Sequence, residues 1–160
     1  MRSKHMLSDA NGNCPIGGLN SWEKTVVDIE WNRRGVEVLG WYRNPSQATE
    51  NAIKVPYQKS DGTWSSLQPD FVFFTRKSDG SIAAALLEPH RDHGDSLAKL
   101  KGLADFAERN PDAYVRIEFM EEVDGVMKKL DITDAAVREA VRGAVDAKEL
   151  FASSVAIPYA

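Results

Sequence analysis

The stretch "QPDFVFFTRKSDGSIAAALLEPHRDH", residues 68–93, holds two apolar runs, "DFVFFTR" and "SIAAALLEP", separated by the tetrapeptide "KSDG". Continuous apolar runs of this length indicate strands covered on both faces, hence strands in the middle of a sheet. Paired as a hairpin about "KSDG", the start of the first lies beside the end of the second, which makes Asp70 and Glu88 neighbours. Two carboxylates about 4 Å apart repel by roughly 4 kcal/mol at an effective dielectric of about 20, so such a pair shares a proton or holds a cation. Oxygen ligands of this kind suit Mg²⁺, with Mn²⁺ as a substitute, and Mg²⁺ commonly adds a substrate phosphate to one or two protein carboxylates.

Toward the N-terminus, "NSWEKTVVDIEWNRR" opens with Asn20 three residues before Glu23, a capping-box spacing, and sets Trp22, Val26 and Ile29 on one helical stripe, so a helix is expected up to Gly35. "VEVLGWYR" reads as a strand closed by "NPS", and "NAIKVPYQ" and "GTWSSL" as two strands joined by another "KSDG". Pro56 pushes its strand to a sheet edge. After the central hairpin, "DSLAKLKGLADFAERN" places Leu97, Leu100, Leu103 and Phe106 on one helix face. "AYVRIEFMEEVDGVMKKLDI" gives two strands about Asp124-Gly125, and "TDAAVREAVRGAVDAKELF" gives one last helix capped by Thr133. The order implies one α/β domain over residues 20–160, with a mixed sheet flanked by helices. Residues 7–19, rich in Gly, Asn and Pro, read as an arm or loop. Residues 1–6, "MRSKHM", resemble an expression remnant and are expected to lie outside the fold.

Composition bounds the function. The chain has 160 residues, 42% of them hydrophobic, and no apolar run approaches the roughly 20 residues a membrane helix needs. A single cysteine, Cys14, in "GNCPIGG" fits a reducing, cytoplasmic setting. A net charge of −4 argues against general polyanion binding, because nonspecific nucleic-acid affinity comes mainly from Lys and Arg neutralising phosphates.

Together, "QPDFVFF", a tight turn, an apolar strand and "LEPH" resemble the core of the PD-(D/E)XK nucleases, in which Pro-Asp opens one strand, an acid and a lysine close the next, and a helix follows. The flanking segments "WYRNP", "VPYQKSDGTWSSLQPDF", "EPHRDHGDSLAKLKGLADFAE" and "LDITDAAVREAV" are similar to the C-terminal region of bacterial helicase proteins related to the restriction subunit of type III restriction enzymes. The resemblance covers residues 20–160 and implies a restriction-endonuclease-like fold and a Mg²⁺-dependent DNA endonuclease. Its partners would be DNA and a helicase or ATPase region, which this chain, lacking a Walker A loop, does not itself supply. It implies metal binding by Asp70 and Glu88, with Glu23 as a further acid. His90 departs from the pattern, standing where the family has lysine; Lys99 or Lys101 is then expected to provide a displaced ammonium. Arg43, Arg76, Lys77 and Arg91 are the cations available to DNA phosphates.

Two other readings use the same residues. A nuclease fold without catalysis would serve DNA binding or docking to a helicase. A metal hydrolase unrelated to nucleic acid would be built on "HRDH", where His90 and His93 with Asp92 and Asp95 form a partial zinc-like set. Of the four tryptophans, an exposed one could stack on a base.

Overall fold

The computed structural model describes residues 4–8, 10–11, 18–91 and 94–160. Cys14, Asp92 and His93 lie outside the described residues. The elements are α1 (Ser21–Asn32), β1 (Glu37–Arg43), β2 (Val55–Gln58), β3 (Trp64–Leu67), β4 (Phe71–Arg76), β5 (Ile82–Pro89), α2 (Ser96–Arg109), β6 (Arg116–Val123), β7 (Val126–Asp131), α3 (Ala135–Gly143), α4 (Ala147–Ala152) and β8 (Ile157–Pro158). Six strands form one sheet in the order β1-β4-β5-β6-β7-β8, while β2 and β3 pair as a separate hairpin. All neighbours in the large sheet are antiparallel except β5 and β6, which run parallel with α2 as the crossover. This is a mixed α/β fold.

Both faces of the sheet are covered, as the apolar runs require. Val72 and Leu86 pack with Leu100 and Leu103 of α2 and Phe151 of α4. The alternate residues Phe71, Phe73, Ala85 and Leu87 pack with Val26 and Val27 of α1 and with Trp41. The two "KSDG" tetrapeptides build the same turn twice. Lys59 and Lys77 each donate a backbone N–H across the turn, and Gly62 and Gly80 adopt φ of 82° and 85°.

Four expectations are corrected. First, residues 4–6 belong to the fold: Trp41 and Lys4 share a backbone hydrogen bond, Met6 N–H donates to the Trp41 carbonyl, and His5 is buried as a parallel bridge partner of Trp41. Second, the capping box of α1 forms as read, but the buried stripe is Glu23, Val26, Val27 and Glu30, which leaves Trp22 and Ile29 half-covered. Third, the last helix is two, α3 capped by Asp134 and α4 capped by Asp146, each accepting a backbone N–H, so Thr133 is not the cap. Fourth, a short β8 follows and pairs with β7.

Glu30 is the centre of a buried ionic cluster on the α1 side. Its carboxylate receives Arg116 at 2.6 and 2.9 Å, Arg33 at 2.6 Å and the Tyr159 hydroxyl at 2.7 Å; Arg116 also reaches Glu118, which Lys129 meets at 2.6 Å. Burial alone would raise the Glu30 pKa. These donors outweigh it and hold the carboxyl at about 2. On the opposite side, β2 lies against α2 at Gly102, where a Cβ would stand 2.6 Å from Tyr57 Cβ and 2.8 Å from the Pro56 carbonyl oxygen.

Two stability measurements follow. Gly102→Ala forces backbone apart and should destabilise by about 1–3 kcal/mol in denaturant unfolding, as overpacking does. Glu30→Ala takes from Arg116 its two shortest contacts and leaves it Glu118 alone, and losses of about 3–5 kcal/mol are typical when one partner of a buried pair is removed. Because the folded pKa of Glu30 lies below its ordinary 4.5, the stability it contributes is present above that pH and is lost as pH falls toward about 2. The parent should therefore lose stability over that window more steeply than Glu30→Ala.

Candidate functional site

The antiparallel register of β4 and β5 pairs Phe71 with Leu87, so the next residues outward are Asp70 and Glu88. By the two-residue alternation of strands, Glu88 shares the face of Leu86, toward α2, while Asp70 stands just before β4, where Glu23 and Arg43 also act on it. The Asp70 backbone N–H donates to Glu88 Oε2 at 3.1 Å, and Glu88 Oε1 lies 3.1 Å from His90 Nδ1. Glu88 and His90 are buried; Asp70 is partly exposed and opens the pair to solvent.

The electrostatics are those of an uncompensated acid pair. Burial first, then the charges of Glu88 and Glu23, push the Asp70 carboxyl well above the usual carboxylate range, and Arg43 only partly offsets them. Burial likewise raises Glu88, against the Asp70 N–H and the Lys99 charge, which favour its anion. Glu23 faces the pair from α1, held there by Arg43 at 2.8 Å while its other oxygen accepts the Asn20 N–H of the capping box.

The first turn of α2 brings the ammonium that His90 lacks. Lys99 Nζ is 3.5 Å from His90 Nε2 and 2.8 Å from Asp95 Oδ1. Asp95 in turn accepts the Tyr57 hydroxyl at 3.0 Å. Burial opposes ionisation of Asp95, but the hydrogen bonds from Lys99 and Tyr57 keep its pKa below the ordinary value. The spacing of Asp95 and Lys99, four residues apart on a helix start, is a signal in the sequence for this pair. Tyr57 gave none, because its role depends on docking of the β2–β3 hairpin.

The other candidates disperse. Lys101, two residues beyond Lys99, lines a cavity between α2, the β2–β3 turn and the start of α4, so of the two lysines expected to supply the displaced ammonium it is Lys99 that stands at His90. Arg43 is engaged by Glu23 rather than presented to a phosphate. Arg76 pairs with Glu37, and with Lys77 it sits at the far end of β4, roughly 20 Å from Asp70 at about 3.3 Å per residue. Arg91 stays near the site, its guanidinium 5.2 Å over the Trp22 ring.

As a place for a metal, adjacent strand ends bring two carboxylates, Asp70 and Glu88, of the oxygen-donor type that Mg²⁺ takes from a protein. Among the described residues no group of three or more His, Cys, Asp or Glu side chains is arranged to hold a metal, which leaves a closed zinc-like set without support there. No helix among the described residues is long and apolar enough to cross a membrane.

Comparison with known proteins adds a lineage. No solved structure matches the chain significantly. Protein YagJ of Escherichia coli (strain K12) is 40% identical over 156 residues, which make up 97% of this chain and 62% of that relative, so the chain spans under two thirds of its length. The YagJ family model matches residues 3–160, including the N-terminal segment that pairs with β1. The chain belongs to the YagJ family.

Proposed function

We propose that this chain is a metal-dependent DNA endonuclease domain of restriction-endonuclease-like fold, with Asp70 and Glu88 as the metal ligands. The observation that carries the reading is the meeting of three groups at one strand end: two acids from adjacent strands and the ammonium of Lys99 from the following helix. Support for the fold comes from the order of parts, Pro69-Asp70 opening β4, Glu88 closing β5 and α2 crossing over to a parallel β6.

When bound, Mg²⁺ supplies Lewis-acid stabilisation of a phosphodiester oxygen and favours deprotonation of an attacking water. The chain's own residues do the rest. Lys99, fixed by Asp95, presents a positive charge at the His90 end of the acid pair, where it can meet negative charge developing on a phosphate. His90, with Nδ1 toward Glu88 and Nε2 toward Lys99, orders both groups. Glu23 and Arg43 set the potential behind Asp70. A helicase or ATPase region, on a longer chain or a partner, completes the reading, supported by the similarity of the flanking segments.

A second reading is favoured by one contact. Both Glu88 oxygens already have partners, Asp70 N–H and His90, an arrangement that suits a site closed to metal and kept for nucleic-acid binding or docking.

Metal titration separates the two. Mg²⁺ or Mn²⁺ should raise Tm of the parent and leave Asp70→Asn unmoved, as a ligand confined to the native state does; an equal response in both proteins defeats the proposal. Without metal, the sign reverses from that of Glu30. The folded state holds protons on Asp70 and Glu88 that the unfolded chain releases near pH 4–5, so stability should fall as pH rises from there toward 8, and Asp70→Asn should flatten that slope.

Cleavage supplies the other test. With Mg²⁺ and the helicase region present, Lys99→Gln should cut a DNA substrate at least about tenfold more slowly, equivalent to about 1.4 kcal/mol. His90→Lys should retain or increase the rate. No cleavage by the parent under Mg²⁺ or Mn²⁺ leaves the binding role.

A further inference from the structure

Residues 4–8 lie along the outer edge of β1, the first strand of the large sheet. Trp41 N–H donates to the Lys4 carbonyl at 3.1 Å and Met6 N–H to the Trp41 carbonyl at 2.9 Å. Lys4 Nζ donates to the Val38 carbonyl at 2.7 Å, beside the bulge where the register of β1 shifts. Met6 and Leu7 are each 62% exposed, so this strap gains little from apolar burial. Lys4 also sits at φ 64°, a left-handed conformation that a side chain disfavours. Docking of the strap therefore rests on its polar contacts with the strand.

His5 is the buried residue of the strap, its ring edge-on to Trp41 at 4.8 Å. Both of its ring nitrogens face backbone N–H groups, Nε2 that of Arg43 and Nδ1 that of Leu7, each at 3.0 Å. A neutral imidazole carries one proton and one acceptor nitrogen, so either tautomer accepts one of these bonds. An imidazolium accepts neither, and N–H would then oppose N–H on both sides of the ring. The charged and titratable neighbours are committed elsewhere. On the strap, Lys4 holds the Val38 carbonyl; on β1, the Tyr42 hydroxyl donates to the Asn51 carbonyl and the Arg43 guanidinium pairs with Glu23 of α1, which also accepts the Asn20 N–H. Burial lowers the His5 pKa below its ordinary 6.5.

We infer that His5 is a pH-operated latch, which holds residues 4–8 on the edge of β1 while the ring is neutral and releases them when it is protonated. Because the ring resists protonation when docked, the latch is closed above about pH 6.5 and weakens as pH falls below it. That sign is opposite to the acid pair, whose protonation favours the folded state at lower pH. The latch also bears on the site, since the residue it holds by the backbone, Arg43, is the cation that partly offsets the charge around Asp70. This link rests on the nuclease reading; the latch does not.

The test uses the full chain, ¹⁵N-labelled and free of metal. Ring ¹⁵N shifts follow His5, and amide exchange corrected for intrinsic rates gives the protection of Met6, Trp41 and Arg43 between pH 7.5 and 5. In the parent, protection at these amides should fall at least fivefold, and at most about thirtyfold, the limit that an ordinary pKa of 6.5 sets at pH 5. Amides of β4 and β5 should hold or gain protection over the same range. His5→Gln keeps an acceptor that no proton blocks and should be flat. Unchanged protection in the parent, an equal fall in His5→Gln or a parallel fall in β4 and β5 overturns the latch. If His5→Gln is open already at pH 7.5, the parent decides: a fall that departs from the ring's own titration overturns the latch, and agreement supports it. His5→Lys, cationic throughout, should reproduce the released state at pH 7.5, and a strap still docked there overturns the imidazolium argument. With Mg²⁺ added to His5→Lys, an apparent Kd at least twofold from the parent's ties the latch to the acid pair. An equal Kd cuts that tie and leaves the latch standing, whereas no Mg²⁺ binding in the parent removes the nuclease reading and the tie together.

Discussion

The pairing of Phe71 with Leu87 is the constraint on which the rest of the molecule depends. A slip of one residue would turn every side chain of β4 or β5 to the opposite face. Phe71 and Phe73 would leave Trp41 and α1, Val72 would leave α2, and the acids would part. Because both faces are buried, the cost of a slip is the loss of two cores at once. The register is thus held by apolar packing along the strands, and the acids at their ends ride on it. Packing energy unrelated to the site is what keeps Asp70 and Glu88 together against their repulsion.

The molecule contains two buried acid clusters with opposite electrostatics. Around Glu30, donors from α1, β6 and the C-terminal segment saturate the carboxylate and draw its pKa down. Around Asp70 and Glu88, acids outnumber cations at short range and the proton affinity rises. Burial therefore yields a clasp in one place and a candidate site in the other, the difference being the number of guanidinium and hydroxyl donors within reach. Three charged or hydroxyl donors leave the Glu30 carboxylate nothing to offer a ligand, whereas the two partners of Glu88 are a backbone N–H and a histidine. An acid pair that repels is destabilising alone and is relieved by a cation, which is the physical ground for taking the second cluster as the candidate site.

Features that depend on neighbours in sequence were legible. The "KSDG" turns, the Asn20–Glu23 capping box and the two apolar central strands rest on contacts a few residues apart, and Asp70 beside Glu88 follows from one hairpin. Features that depend on distant partners were not. Glu30 looks like a solvated helix acid until Arg116 and Tyr159, 86 and 129 residues away, arrive to pair with it. His5 sits in a polar opening that gives no strand signal, yet its ring accepts the backbone N–H of Arg43 at 3.0 Å. Lys99 and Lys101 could not be separated by sequence alone. Two helical positions differ by about 200° in direction, and only the docked orientation of α2 shows which one faces the acids.

That orientation is itself fixed through Gly102. Because no side chain intervenes there, β2 comes close enough for the Tyr57 hydroxyl to reach Asp95, which holds Lys99, which stands against His90 and, through it, Glu88 and the Asp70 backbone. The contacts run 3.0, 2.8, 3.5, 3.1 and 3.1 Å from hairpin to acid pair. The hairpin is not paired into the large sheet, so its polar connection to the site passes through this chain of side chains.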